Sequence, residues 1–284
     1  MNLLTKIKDK LTVLIPEPVY YNEHLRMSFS SCSVAGDTLH GKTAVVTGGA
    51  SGIGFSICQR LLDEGCNVII TGRNQQRLDE CALQFRNERK CFIHTLQIDQ
   101  LNPESVTFGC NKVFKLYPID FWINCAGIIT EIDRKRRFRG TTKEQFNKVI
   151  DTNYKSVYLM CNLVYNHMRK ANGGKIVNIA SMAGIIQSFG YTAYGISKKS
   201  VINLTKSFYC NKEDSVSVVA VAPGVVVTRM GDYRFGDNIA NMYNDGRHTT
   251  IPEEIAALVC FILSPMGKYL SGTTIEASSN ENLF

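Results

Sequence analysis

Thr47-Gly48-Gly49-Ala50-Ser51-Gly52-Ile53-Gly54 is the stretch that decides the fold. The apolar run Ala44-Val45-Val46 precedes it, and Phe55-Ser56-Ile57-Cys58-Gln59-Arg60-Leu61-Leu62 follows. That order reads as strand, glycine turn, helix. Glycine allows a tight backbone turn and the close approach of a ligand. The first turn of a helix offers unpaired N–H groups and the positive end of its dipole, which suit a pyrophosphate. Gly48, Ser51, Gly52, Ile53 and Gly54 are therefore candidate cofactor-binding residues. The glycine spacing departs from the general G-x-G-x-x-G fingerprint, so the chemistry of the turn carries the reading rather than the pattern.

Outward from this turn, apolar strand-like runs alternate with amphipathic ones. Strands are predicted at 43–47, 67–71, 91–98, 121–124, 175–180, 216–221 and 273–277, and helices at 53–64, 75–89, 103–115, 143–170, 194–209 and 252–263. Asn102 caps the helix that begins at Pro103, and Pro252 with Glu253 and Glu254 marks another helix start. Such alternation implies an α/β fold, a Rossmann-type doubly wound parallel sheet of about seven strands with helices on both faces. Residues 41–284 are expected to form one dinucleotide-binding and catalytic domain behind an N-terminal extension, 1–40. Ligands of such sheets bind beyond the carboxyl ends of the strands. The glycine turn, Asn124, Ser181 and Pro223-Gly224 all follow predicted strands and should converge there.

A second constellation is Tyr194-Gly195-Ile196-Ser197-Lys198, a phenol and an ammonium four residues apart and hence on one helix face. Ser181 ends the apolar segment Ile176-Val177-Asn178-Ile179-Ala180. Asn124-Cys125-Ala126-Gly127 and Asn153 complete the set. In this order and spacing the motifs resemble the short-chain dehydrogenase/reductase family, in its compact single-domain branch, over roughly Gly41 to Ala277. Within that family the chain is similar to the 3-oxoacyl-[acyl-carrier-protein] reductase group.

The resemblance implies a nicotinamide-dependent oxidoreductase that reduces a ketone to a secondary alcohol. Tyr194 would be proton donor in reduction and base in oxidation. Lys198 would hold the nicotinamide ribose, Ser181 would bond the substrate oxygen, and Asn153 would position a water relaying protons to Lys198. Physically, a free tyrosine has a pKa of about 10. A neighbouring ammonium can lower that by roughly 1–3 pH units, toward the operating pH that suits acid–base catalysis. The resemblance also places Asp99 against the adenine, Asn124, Ala126 and Gly127 along the cofactor, and Pro223, Gly224 and Thr228 along the carboxamide. After the second strand, the position where NAD-binding proteins often carry an acid is occupied by Gly72, followed by Arg73. A guanidinium pairs with a 2′-phosphate, so NADPH is favoured over NADH.

Taken singly, each residue has a plainer reading. Arg73 is also a solvated helix-start residue, Asp99 a turn or cap residue, Ser181 a cap, and Tyr-x-x-x-Lys an ordinary helix face. The joint occurrence carries the assignment. Cys125 departs from the family, which usually has a second Asn there.

A net charge of +7 over 284 residues favours anionic partners, such as a carbonyl or alcohol substrate carried on an acidic or phosphorylated group. The run Arg134-Lys135-Arg136-Arg137-Phe138-Arg139 is a candidate attractor or a solvated loop. Beyond charge, nothing points to nucleic acid. The ten cysteines form no CxxC pair, so no metal site is expected and several should pack as small hydrophobes. No apolar run approaches the roughly 18 residues of a membrane span. A reducing cytoplasm is expected. Leu3, Leu4, Ile7 and Leu11 follow helical spacing among lysines, a segment for docking on the domain, a second subunit or a membrane surface. By resemblance, the stretch between Thr228 and Ile251 would be a substrate lid. A homodimer or homotetramer is expected, although the ending Ile275-Glu276-Ala277-Ser278 lacks the family's Asp-Gly-Gly. Two alternatives are a non-catalytic cofactor-sensing or scaffold protein and a nucleotide-sugar-modifying enzyme. The intact Ser–Tyr–Lys set weighs against the first and the short C-terminal region against the second.

Overall fold

The computed structural model describes residues 36–88, 91–129, 142–171, 173–186, 192–208, 215–228, 230 and 250–278. Their strands are β1 (Thr43–Thr47), β2 (Asn67–Gly72), β3 (Ile93–Gln97), β4 (Phe121–Asn124), β5 (Gly174–Ile179), β6 (Val216–Pro223) and β7 (Thr274–Ala277). The helices are α1 (Gly52–Asp63), α2 (Gln75–Glu88), α3 (Pro103–Leu116), α4 (Lys143–Ile150), α5 (Ser156–Lys170), α6 (Thr192–Ser207) and α7 (Pro252–Leu263). The seven strands pair in the order β3-β2-β1-β4-β5-β6-β7, and every pair is parallel. This is the Rossmann-type sheet expected from the alternation.

Parallel strands covered on both faces are apolar along their whole length, and β1 obeys this. Ala44 and Val46 face one core with Ile57, Leu61, Phe85 and Val259, so α1, α2 and α7 cover that side. Val45 faces the other, with Val106, Trp122, Met160 and Val201, beneath α3, α5 and α6. The chain builds outward from β1 to β3, then returns to β4 on the far side of β1. The reversal opens a crevice between the carboxyl ends of β1 and β4, where ligands of such sheets bind.

Local signals set the helix starts. The Asn102 side chain accepts from Glu104 N–H at 2.9 Å and Ser105 N–H at 3.1 Å, ahead of Pro103. At α7, Glu254 reaches back to the Ile251 N–H at 3.0 Å. One expectation needs correcting. The helix predicted over 143–170 is not continuous: a π-helical segment, Asp151–Lys155, separates α4 from α5. The wider turn sets Asn153 beside Ile128, a contact from outside the helix that no local propensity specifies. The N-terminal segment with helical spacing at Leu3, Leu4, Ile7 and Leu11, the basic run 134–139 and most of the 229–249 stretch lie outside the described residues.

Candidate active site

A cavity of about 1250 Å³ runs along the carboxyl ends of the strands. Its floor is the glycine turn. Gly48 has φ +70°, and a Cβ there would stand 2.9 Å from the Ala126 Cα. A Cβ on Gly54 would collide with the Gly48 carbonyl. Both positions therefore demand glycine for close backbone approach, and Gly48 also for the turn. Ser51 makes no side-chain cap bond, so the N–H groups at Gly52, Ile53 and Gly54 stay available at the head of α1. Thr228 closes over this turn, its methyl 3.4 Å from where a Cβ on Gly52 would be. The cradle, shaped so that side chains are excluded and donors presented, fits a dinucleotide pyrophosphate.

At the end of β2, exposed Arg73 lines the cavity while its carbonyl accepts from Gln97 Nε2 at 2.9 Å. Arg77, one turn on, lines the same wall, its N–H donating to Asn74 Oδ1 at 3.0 Å. The sequence reading missed Arg77, although spacing of four from Arg73 at a helix start was a usable signal. At the end of β3, Asp99 Oδ1 accepts the Leu101 N–H at 3.0 Å and the Asp99 N–H donates to Ser105 Oγ at 3.0 Å. Asp99 is thus a turn-fixing residue that also lines the cavity.

Between β4 and the cavity, Thr47 Oγ1 accepts the N–H groups of Cys125 (3.0 Å) and Ala126 (3.1 Å), tying the turn to β1. Ala126 and Gly127 line the cavity; Asn124 does not. The Asn124 side chain is buried in a polar network inside the second core. Its Oδ1 accepts from Trp122 Nε1 at 2.9 Å and its Nδ2 donates to Asn178 Oδ1 at 2.8 Å, with Asn178 passing on to Thr205 Oγ1 at 3.0 Å. Asn153 is also fully buried and outside the lining. It clamps Ile128 at both ends, accepting the N–H and donating to the carbonyl, each at 2.8 Å, and donates to Ser197 Oγ at 3.2 Å.

The opposite wall carries the remaining expected groups: Ser181, Tyr194, Lys198, Pro223 and Gly224. Ser181 accepts the Ala183 N–H at 3.1 Å through its own Oγ, which leaves the hydroxyl proton free to donate. Lys198 Nζ donates to the Ile179 carbonyl at 2.8 Å and stands 5.8 Å from the centre of the Tyr194 ring. Burial pushes the Lys198 ammonium down to about 8; the nearby Cys125 acts the other way. The Cys125 thiol is itself pushed up to about 12 by burial, with Lys198 pulling against it. Lys198 Nζ and Asn153 Oδ1 each lie 3.4 Å from where a Cβ on Gly127 would sit. A glycine there lets both approach the same point.

A family model described as short chain dehydrogenase matches residues 42–238. The chain belongs to the short chain dehydrogenase family. It is an enzyme of that class. Among curated relatives, it is 32% identical over 242 residues to the 3-oxoacyl-[acyl-carrier-protein] reductase of Chlamydia muridarum, covering 83% of this chain and 95% of the relative. The acetoacetyl-CoA reductase of an Acinetobacter species is 31% identical over 241 residues, covering 83% and 95%. Among solved structures, a Sinorhizobium meliloti dehydrogenase/reductase superposes with a TM-score of 0.74 at 25% identity, covering 89% of this chain and 97% of its own.

This short chain dehydrogenase departs from a purely polar site in its thiols. Cys58, Cys81 and Cys125 gather under the glycine turn, and burial raises all three thiols, Cys81 to about 12. They act as packing groups rather than nucleophiles. All eight described cysteines are free. Among the described residues no group of His, Cys, Asp and Glu could hold a metal, and no helix is long and apolar enough to cross a membrane.

Proposed function

We propose that this dehydrogenase reduces a ketone to a secondary alcohol with NADPH, using Tyr194 as the proton donor. The observation that carries the reading is the pairing of buried Lys198 with the Tyr194 ring in the wall that also presents Ser181. A bound nicotinamide cofactor supplies the hydride. Glycine-turn N–H groups would hold its pyrophosphate, Arg73 and Arg77 its 2′-phosphate, Asp99 its adenine, and Pro223, Gly224 and Thr228 its carboxamide end.

Negative charge grows on the carbonyl oxygen during reduction, and donors aimed at it lower the barrier. Ser181 Oγ–H would donate to that oxygen and Tyr194 Oη would deliver the proton. Lys198 favours the phenolate left behind, so the proton moves at lower cost. Asn153 serves as a positioning residue: its clamp on Ile128 keeps the Gly127–Ile128 backbone against Lys198. Both named relatives act on 3-oxoacyl thioesters, and the net charge of +7 suits a ketone on an acidic or phosphorylated carrier. The free thiols suit a reducing cytoplasm, and the assembly is proposed as a homodimer or homotetramer.

The test is NADPH oxidation with 3-oxoacyl thioesters and simpler ketones. Tyr194→Phe should lower kcat by about 10²–10⁴ while NADPH still binds, since general acid catalysis contributes on that order. Undiminished turnover by Tyr194→Phe would remove the mechanism.

A further inference from the structure

The turn that carries Ser181 and the helix that carries Tyr194 and Lys198 meet through two glycines, one on each. Ser181 leads into a single 3₁₀ turn, Met182–Gly184, in which the Ala183 N–H donates to Ser181 Oγ and the Gly184 N–H to the Ser181 carbonyl at 2.9 Å. Gly184 is buried, and a Cβ on it would stand 2.7 Å from both the Lys198 carbonyl carbon and the Lys199 nitrogen. From the other side, a Cβ on Gly195 would stand 2.8 Å from the Ala183 carbonyl oxygen. Ordinary contact begins at 3.4 Å, so either methyl would press on backbone, with no flexible side chain to give way. Gly195 also sits inside α6, where glycine is less favourable than alanine. Helix preference gives no reason for a glycine there; the Ala183 carbonyl does.

We infer that Gly184 and Gly195 are positioning residues, a clasp that holds the Ser181 turn and α6 close enough for Ser181 and Tyr194 to reach one carbonyl oxygen. This rests on the roles of those two groups in the function proposed above. Two donors serve the same oxygen only when each comes within about 2.7–3.1 Å of where its charge develops. The clasp sets that spacing from the backbone. Gly195 follows Tyr194 directly, and Gly184 bears on α6 at Lys198, one turn further on. The Lys198 bond to the Ile179 carbonyl draws α6 toward the end of β5, and the glycines let it come fully home. Neither glycine lines the cavity, so each acts only through the groups it seats. A misplacement of about 1 Å between reacting groups costs on the order of 10²-fold in rate.

The experiment measures kcat, KM and NADPH affinity of the full chain for wild type, Gly184→Ala, Gly195→Ala, Ser181→Ala and the double variant Gly195→Ala/Ser181→Ala, on the ketone that wild type reduces fastest. Each glycine variant should lose about 10–100-fold in kcat, with the ketone KM and the NADPH dissociation constant within about threefold of wild type. Ser181→Ala should cost about 10²–10³ in the wild-type background. It should cost less than about tenfold once residue 195 carries a methyl, because the donor is already misaimed. A purely structural contact would lower the melting temperature and leave the two losses independent. Gly195→Ala gains helix preference, so it keeps the test open where Gly184→Ala does not fold. If Gly195→Ala keeps kcat within about twofold, or if its loss and that of Ser181→Ala simply multiply, the glycines position nothing and the proposed function stands. If wild type reduces no ketone with either nicotinamide cofactor, the proposed function falls and this inference with it.

Discussion

Lys198 is a charge kept where water barely reaches, and that has a measurable signature. Its folded value of about 8 lies below the ordinary 10.5. Between those two values the unfolded chain holds a proton that the folded chain lacks, so stability rises with pH through that window. Lys198→Met should therefore abolish turnover and, at pH 7, stabilise the fold by about 1–3 kcal/mol. The gain should shrink above pH 8 and be gone near 10.5. Urea unfolding at pH 7 and pH 9.5 measures it, and an equal gain at both would contradict it. At this scale the sequence was partly legible. Tyr194 and Lys198 are four apart on a helix, so their shared face could be read directly. Asn124 could not be placed in that way. It follows Trp122 by two on a strand, and which face that pair takes depends on α5 and α6 packing from far along the chain. Arg77 was missed because an arginine at a helix start is usually solvated.

The elements themselves were announced by their ends. Asn102 was readable as a cap because a short polar side chain before proline has few other tasks. Asn102→Ala should cost about 1 kcal/mol, and Asn102→Asp should recover most of it. Denaturant midpoints at unchanged slope would check this. A loss within error would mean the two bonds to Glu104 and Ser105 are replaced by water at no cost. The π segment was not readable. Apolar spacing runs on through residues 143–170, and the interruption answers Ile128, twenty-five positions away from Asn153. Strand ends drifted by one or two residues for a similar reason: pairing with a neighbour, rather than local composition, decides where a ladder stops.

At the scale of the molecule, the proposed preference for NADPH at the two arginines beyond β2 is one that mass action would make visible. A ligand that binds only the folded chain raises its melting temperature in proportion to RT ln(1 + [L]/Kd). At equal concentration NADPH should raise the melting temperature more than NADH. The double variant Arg73→Ala/Arg77→Ala should erase the difference, and salt should narrow it in the wild type. A larger shift with NADH would overturn the cofactor preference. The strand order was legible in kind, since alternation of strand and helix leaves few arrangements that bury both faces. All seven strands point one way, so everything chemical hangs from a single rim. The other rim, where Lys42 meets Asp120 at 2.9 Å and α3 gives out at Leu116, lies away from the cavity. A molecule glued to a bead by that underside would keep its mouth toward the solution, and foreign loops grafted there would leave turnover untouched.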